Sequence, residues 1–143
     1  MGIAAQGATA GYSGTPLWKK LGYRDGTLAY VAGEPEDYLR MLQLPSEIAV
    51  RWAPRVVHGI AFVHFFTASR AVLRKRLSFL RERIAAGGIV WISWPKKSSG
   101  VETDITENVV REVALPLGFV DIKVCAVNET WSGLKLMIRK ELR

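Results

Sequence analysis

The sequence predicts an α/β domain of three layers, with a mostly parallel sheet between two layers of helices and an antiparallel hairpin at the C-terminus. Its 143 residues suit one hydrophobic core and are too few for two. The runs Val57 to Phe66 and Ile89 to Trp94 are almost continuously apolar, as strands buried on both faces of a sheet must be. A segment with leucines at helical spacing separates these runs, and strands that alternate with helices pair in parallel.

The N-terminal segment is predicted to contain one short helix before the sheet begins. Residues 1–10 are small and polar without periodicity, so they are expected to be a disordered lead-in to a single domain over residues 11–143. Ser13 or Thr15 can cap this helix, Pro16 suits its first turn, and Gly22 can end it.

Two strands and a helix are predicted next. Thr27 to Ala32 is apolar and rich in β-forming residues, and Gly33-Glu34-Pro35 then opens a helix that extends to about Leu44. A second strand is expected over Glu47 to Ala53, directly before the central strand that begins at Val57.

The middle of the chain predicts a second unit of strand, helix and strand. Thr67-Ala68-Ser69 offers capping side chains for a long helix that extends to about Ala86. Gly87-Gly88 is expected to end that helix before the fourth strand, Ile89 to Trp94.

The C-terminal part predicts a capped helix and a hairpin. Asp104 and Glu107 have the spacing of a capping box for a helix that ends at Gly118. Phe119 to Val127 and Leu134 to Lys140 alternate between apolar and polar residues, and the polar turn that joins them indicates a hairpin.

The net charge is +7, from 20 Lys and Arg against 13 Asp and Glu, which favours anionic partners. The densest basic run flanks an apolar stripe with helical spacing, and its members are Arg70, Arg74, Lys75, Arg76, Arg81 and Arg83. Long basic side chains beside a buried stripe are typical of a solvated amphipathic helix. A nucleic-acid partner is therefore not expected, and duplex DNA should bind weakly and without sequence preference.

Cysteine usage and hydropathy predict a cytoplasmic protein. The single cysteine, Cys125, lies in the apolar run Val124 to Val127 and has no second cysteine to pair with. The apolar runs are far shorter than the roughly 20 residues that cross a bilayer. The Gly- and Ala-rich start lacks the basic and apolar segments of a signal peptide, so neither export nor membrane insertion is expected.

Several segments of unusual sequence carry a family resemblance. They are Gly11-Tyr12-Ser13-Gly14-Thr15-Pro16-Leu17, Ser93-Trp94-Pro95-Lys96-Lys97, Thr103-Asp104, Val109-Val110-Arg111, Val120 to Val127 and Glu129-Thr130-Trp131-Ser132-Gly133-Leu134. From about Gly11 to the C-terminus, the chain resembles the bacterial domain-of-unknown-function family 3052, a resemblance that implies no activity. Its order of elements also resembles an abbreviated, Rossmann-like class I methyltransferase fold without one helix-strand unit after the second strand.

A ligand site is predicted beyond the carboxyl ends of the parallel strands, near the point where strand order reverses. In a methyltransferase-like order, this crevice lies between the first and third strands. Its predicted rim is Gly33-Glu34, Thr67-Ala68-Ser69 and Trp94-Pro95-Lys96-Lys97-Ser98. Helices that begin near Ser69 and Asp104 would aim free amides at the two lysines and form an anion site. In the alternative interpretation, Thr67 and Ser69 only cap the helix that follows them, and Glu34 is only a favourable acid at a helix N-terminus. Lys96 and Lys97 are then ordinary solvated charges of a loop.

Cofactor signatures are missing. A strand that binds S-adenosylmethionine or NAD opens into a G-x-G-type turn, and the next strand ends in an acid for the ribose. Here the first turn, Val31 to Pro35, has one glycine, and the second strand ends Arg51-Trp52-Ala53-Pro54. We predict no cofactor, so neither molecule should bind with millimolar or better affinity, and a Kd below about 100 μM for either would contradict this prediction. The two histidines, His58 and His64, have no metal-ligand spacing, and His64 is interpreted as a core residue.

The hairpin turn is a further candidate for a functional surface. It places Glu129 and Trp131 in a loop, where packing is a less automatic explanation than in a strand. Together with Trp94, Lys96 and Lys97, these residues are the strongest candidates. The leading hypothesis is a small-molecule or anion-binding domain on a methyltransferase-like scaffold that lacks the cofactor loop, with catalysis left open. The alternative is a protein-interaction or nucleic-acid-associated module that uses the basic surface.

Overall fold

The computed structural model describes residues 14–143, and the segment 1–10 that was expected to be disordered lies outside this range. The helices are α1 (Leu17–Leu21), α2 (Tyr38–Leu42), α3 (Arg70–Arg81) and α4 (Glu107–Ala114). The strands are β1 (Leu28–Ala32), β2 (Arg51–Trp52), β3 (Ile60–Phe66), β4 (Ile84–Pro95), β5 (Phe119–Ala126) and β6 (Trp131–Ile138). Three single 3-10 turns are formed by Lys97–Ser99, Leu115–Leu117 and Lys140–Leu142.

The six strands form one sheet in the order β2-β1-β3-β4-β6-β5. The first four pair in parallel, and β6 pairs antiparallel with both β4 and β5. This arrangement confirms the predicted fold class. The chain leaves β1 for β2 and then returns to the other side of β1 as β3, so strand order reverses between β1 and β3. The carboxyl ends of these two strands mark the switch point at which α/β sheets bind ligands.

Helices cover both faces of the sheet. On one face, α3 and α4 contribute Leu73, Leu77 and Val110 to a core that includes the inward residues of β3, β4 and β6. On the other face, α1 and α2 contribute Leu21 and Leu42 to a second core. Full burial of one leucine contributes about 2 kcal/mol, so these contacts fix the three layers. None of the helices in residues 14–143 combines the length and the apolar character that a membrane crossing requires.

The end of α3 differs from the prediction. The helix stops at Arg81, before the expected Ala86, and β4 begins at Ile84, so Gly87 and Gly88 lie inside a strand. Ile84 pairs with Ile60 of β3, and the register shifts before the next pair. Gly88 suits this irregularity because a Cβ there would lie 2.7 Å from the Ile84 side chain.

Several other element boundaries also differ. The expected helix over Glu34 to Leu44 is a short α2, and the expected strand over Glu47 to Ala53 contains only Arg51 and Trp52. α4 is capped by Thr106, whose hydroxyl accepts from the Val109 amide at 3.2 Å, and the predicted capping role of Asp104 in α4 is wrong. β6 begins at Trp131, three residues before the predicted start, because Asn128 closes a shorter turn by accepting from the Trp131 amide at 2.8 Å.

Candidate functional site

The two loops singled out in the sequence meet at the carboxyl end of β4. Pro95 pairs with Trp131 across β4 and β6, and the Lys96 amide donates to the Thr130 carbonyl at 2.7 Å. Lys96 is half-buried, whereas Lys97 and Glu129 are exposed. The structure therefore brings these predicted site residues together through their backbones.

The two tryptophans of these loops lie on opposite faces of the sheet. Trp94 is only 5% exposed and packs into the core under α3 and α4, so packing accounts for it. Trp131 is half-buried on the other face, where its ring meets the edge of Phe66 with centroids 5.1 Å apart. A ligand would reach Trp131 more readily than Trp94.

The helix N-terminus at this edge is capped by the protein itself. The Ser69 hydroxyl accepts from the Val72 amide at 3.2 Å, and the Asp104 carboxylate accepts from the Arg70 amide at 2.7 Å. The Thr67 hydroxyl accepts from the Ser69 amide at 3.1 Å. Thr67, Ser69 and Asp104 do converge, but as caps of α3. The amides of Arg70 and Val72 in the first turn are thus occupied, and an anion at the Arg70 amide would have to displace Asp104.

Replacing Asp104 with alanine is expected to lower the free energy of unfolding by about 1 kcal/mol, because the Arg70 amide of α3 loses its acceptor. Chemical denaturation measures this change. Glu102→Ala, a change at an exposed acid of the same loop, is the control and should cost no more than about 0.5 kcal/mol. Equal losses in the two variants would rule out the capping role.

The ends of β1 and β3 pack closely at the predicted crevice. Gly33 follows β1 with a φ of +75°, and a Cβ at this position would overlap the carbonyl oxygen of Phe66 at the end of β3. Phe66 also contacts the edge of the Tyr38 ring, with centroids 5.6 Å apart. The side chain of Asn128 lies 3.7 Å from the sulfur of Met41 in α2. These contacts bring the hairpin turn, α2 and the end of β3 together beside the switch point.

An open pocket lies on the other side of β1, beyond the carboxyl ends of β1 and β2. Its cavity volume is about 250 Å³, and it is lined by Val31, Glu34, Pro35, Glu36, Tyr38, Leu39 and Trp52. The Trp52 indole is 40% exposed and is held by an edge contact with Tyr23 at 5.7 Å between centroids. Of the predicted site residues, only Glu34 lines this pocket. Its aromatic wall and two carboxylates suit a flat ligand that carries hydrogen-bond donors.

A buried chain of polar groups supports the wall of this pocket. The hydroxyls of Tyr23 and Tyr38 are 2.7 Å apart, and the Tyr38 hydroxyl is 2.8 Å from His64 Nδ1. His64 Nε2 is in turn 2.8 Å from the Ser93 hydroxyl. Sequence reasoning missed this chain, and the only signal for it was two polar residues, His64 and Ser93, inside apolar strands.

Burial sets the protonation states along this chain. It lowers the pKa of His64 to about 3. It raises the pKa of Tyr23 and Tyr38 above the usual range for phenols, and the nearby Glu34 carboxylate raises both further. All three groups are neutral near pH 7. These hydrogen-bonded groups therefore position Tyr38 beside the pocket and bring no charge into it.

Metal-binding clusters and reactive thiols are two further kinds of site, and residues 14–143 offer neither. No group of three or more His, Cys, Asp or Glu that could hold a metal ion occurs within residues 14–143. Cys125 is half-buried, and burial raises the pKa of its thiol, which keeps it protonated near pH 7. Neither group adds a candidate site to the pocket in this part of the chain.

Comparisons with known proteins bear on the fold. Family models and curated proteins give no match to this chain. A SAM dependent methyltransferase from Aquifex aeolicus is similar, with a TM-score of 0.57 and 14% identity over 84% of this chain and 86% of that chain. The cyclopropane synthase MmaA2 from Mycobacterium tuberculosis gives a TM-score of 0.54 and 9% identity, over 78% of this chain and 61% of that chain. The fibrillarin pre-rRNA processing protein of Methanococcus jannaschii gives a TM-score of 0.51 and 10% identity, over 88% of this chain and 70% of that chain.

Likeness at such low identity concerns the fold and not the activity. It agrees with the strand order, in which parallel strands flank a switch point and an antiparallel hairpin follows. The chain has the Rossmann-like α/β fold of the class I methyltransferases.

Proposed function

We propose that this chain is a small-molecule-binding domain on a methyltransferase-like scaffold, with the pocket beyond β1 and β2 as its binding site. The observation that carries the proposal is the open Trp52 indole, 40% exposed, in a pocket with two carboxylates at the carboxyl edge of the sheet. Ligands of α/β sheets bind at this edge. The neutral hydrogen-bonded groups behind Tyr38 fix the wall of the pocket before a ligand binds.

The chemistry of the pocket narrows the ligand class. Glu34 and Glu36 are acceptors and repel anions, although the chain as a whole carries a net charge of +7. The volume of about 250 Å³ is just below the usual range for drug-sized ligands. The ligand is therefore a small ring compound with hydroxyl or amino donors, or that part of a larger molecule.

The residues at the switch point do not fit the usual binding mode of S-adenosylmethionine. The turn after β1 has Gly33 as its single glycine, packed against the Phe66 carbonyl, and Trp52 stands at the end of β2 where an acid would hold the ribose. The prediction that S-adenosylmethionine and NAD do not bind is kept, and no methyl-transfer step is assigned. Membership of family 3052 and an anion at Lys96 and Lys97 also stay predictions.

Thermal-shift screening tests the proposal. We expect neutral or cationic ring compounds with donors, such as adenosine, cytidine and tyramine, to raise the melting temperature, and inorganic phosphate and citrate to have no effect at this pocket. A ligand present at about 100 times its Kd stabilises the native state by about 2.7 kcal/mol.

Variants locate the response. Glu34→Gln and Trp52→Leu should reduce the shift, because the first removes a charged acceptor and the second an aromatic surface. Glu102→Gln and Leu142→Ala change exposed residues elsewhere and should respond like the wild type. Equal shifts in all four variants, or stabilisation by the anions alone, would contradict the proposed site.

A further inference from the structure

A pair of lysines is held side by side on the open sheet surface at the far end from the pocket. Lys123 of β5 lies opposite Lys135 of β6, which lies opposite Trp91 of β4. Residues directly opposite each other on antiparallel strands share a face, with Cβ atoms about 5 Å apart. Two ammonium groups therefore project from the same patch of the sheet.

Three more cations lie near Lys135 or near Cys125, two residues beyond Lys123 on β5. Burial lowers the pKa of Lys135, and the charges of Lys123 and Arg24 lower it further, which places Arg24 nearby. Lys20 of α1 and Lys96 after β4 act, together with Lys123, on the Cys125 thiol between them. We call these five residues, Lys20, Arg24, Lys96, Lys123 and Lys135, the basic face. Three of them, Lys20, Lys96 and Lys135, are half-buried.

No ion pair offsets these charges in the described part of the chain. None of the five forms one of the ion pairs found in residues 14–143. The acids next to them along the chain are engaged elsewhere, since Asp25 accepts from the Ala49 amide at 2.8 Å and Asp121 pairs with Arg111. Residues 1–13 contain no Asp or Glu. Like charges opposite each other destabilise a sheet, so folding does not explain this cluster.

The composition of the basic face distinguishes between two classes of acidic partner. Protein interfaces are built around apolar and aromatic anchors. The exposed apolar residues of β5 do not supply them, because Val124 alternates with Lys123 and lies on the opposite face, while Ile122 sits at a bulge. Trp131 lies on the same face as Lys135, but its ring is half-buried against Phe66. A phosphate backbone needs only cations, and five of them spread over two strands, α1 and two loops can contact several phosphates.

We propose that the basic face binds the sugar-phosphate backbone of a nucleic acid without reading its bases. This binding is separate from the small-molecule pocket, which lies at the other end of the sheet. It goes beyond the weak attraction expected of the α3 arginines, which are used in part for packing. Arg76, for example, lies over the ring of Phe65 at 5.1 Å.

Fluorescence anisotropy with a labelled oligothymidylate of about 20 nucleotides tests this proposal. The variant Lys96→Gln, Lys123→Gln, Lys135→Gln is compared with a control that loses the same charge at exposed positions, Arg55→Gln, Arg74→Gln, Lys75→Gln. At about 100 mM salt, we expect the first to lose affinity at least about tenfold and the control no more than about threefold. Each single-strand phosphate contact contributes about 0.7 to the salt slope, so the slope should fall by about 2 in the first variant only.

Two outcomes of this titration would contradict binding at the basic face. Equal losses in both variants would show general charge attraction and overturn the proposal, as would binding of polyglutamate in preference to the oligonucleotide, which would indicate an acidic protein partner. The triple variant should fold, because it removes repulsion between like charges. As a second check, Lys123→Arg with Lys135→Arg keeps the charge and should bind the oligonucleotide like the wild type, and a tenfold loss there would also contradict the proposal.

Discussion

Gly33→Ala is expected to destabilise the chain by roughly 4 kcal/mol. Gly33 has a φ of +75°, in the left-handed region that favours glycine, and an added Cβ would overlap the Phe66 carbonyl oxygen and lie 3.3 Å from the Phe66 Cβ. Backbone strain costs about 1 to 3 kcal/mol, and overpacking against a strand end adds a similar amount. Neither β1 nor β3 can shift freely, because four residue pairs join them.

Gly59→Ala is the matched control for this substitution. Gly59 has a φ of +82°, but a Cβ there would meet no atom within 4 Å. The control therefore carries only the backbone strain, about 1 to 2 kcal/mol. Chemical denaturation of both variants gives the difference. Similar losses would show that Gly33 is needed only for its backbone angle and that the ends of β1 and β3 are not tightly packed.

Stability is expected to fall as the pH drops below the ordinary pKa of histidine. Burial lowers the pKa of His64 from 6.5 to about 3, so between these values the unfolded chain binds a proton that the folded chain does not. The stabilisation is fully present above pH 6.5 and is lost as the pH falls towards 3, by about 1.4 kcal/mol per pH unit. From about pH 7 to about pH 5, this group alone costs about 2 kcal/mol.

Two histidine variants test this pH dependence. His64→Gln keeps hydrogen-bonding groups for Tyr38 and Ser93 but does not titrate. The slope of its unfolding free energy against pH should therefore be smaller than that of the wild type, by the amount that one bound proton contributes. His58→Gln changes an exposed histidine and should keep the wild-type slope. Denaturant unfolding at several pH values measures both. An unchanged slope in His64→Gln would contradict a buried, neutral His64.

Local sequence patterns were sufficient to predict the sheet, but not the ends of its helices. The apolar runs of β3 and β4 exclude most alternatives, because only strands covered on both faces need them. The end of α3 depends instead on Ile84, which joins β4 by pairing with Ile60, and a pairing between distant positions leaves no trace in helix propensity. The spacing of Asp104 and Glu107 predicted that Asp104 caps the helix that follows it. In the structure Asp104 instead caps α3, by accepting from the Arg70 amide 34 residues earlier in the sequence.

The candidate sites were harder to predict than the fold because each is assembled from separate segments. Glu34 was singled out from the sequence, but Trp52, which supplies the exposed aromatic wall of the pocket, was not. Sequence analysis noted only that the second strand has no acid at its end. Of the basic face, only Lys96 was singled out, and nothing local in the sequence linked it to the other four residues. Lys20, Lys96 and Lys135 are far apart in the sequence, and only the hairpin and the packing of α1 bring them together.

The most direct test of the pocket is the indole N–H region of an NMR spectrum during titration with adenosine. The chain has five tryptophans, so five indole signals report on five places. Trp91 is an internal reference, because it is fully buried and its Nε1 donates to the Leu21 carbonyl at 2.7 Å. We expect the Trp52 signal to move in a saturable manner while the Trp91 and Trp131 signals stay in place. Movement of Trp131 with a stationary Trp52 would place the ligand at the Lys96 edge and contradict the account.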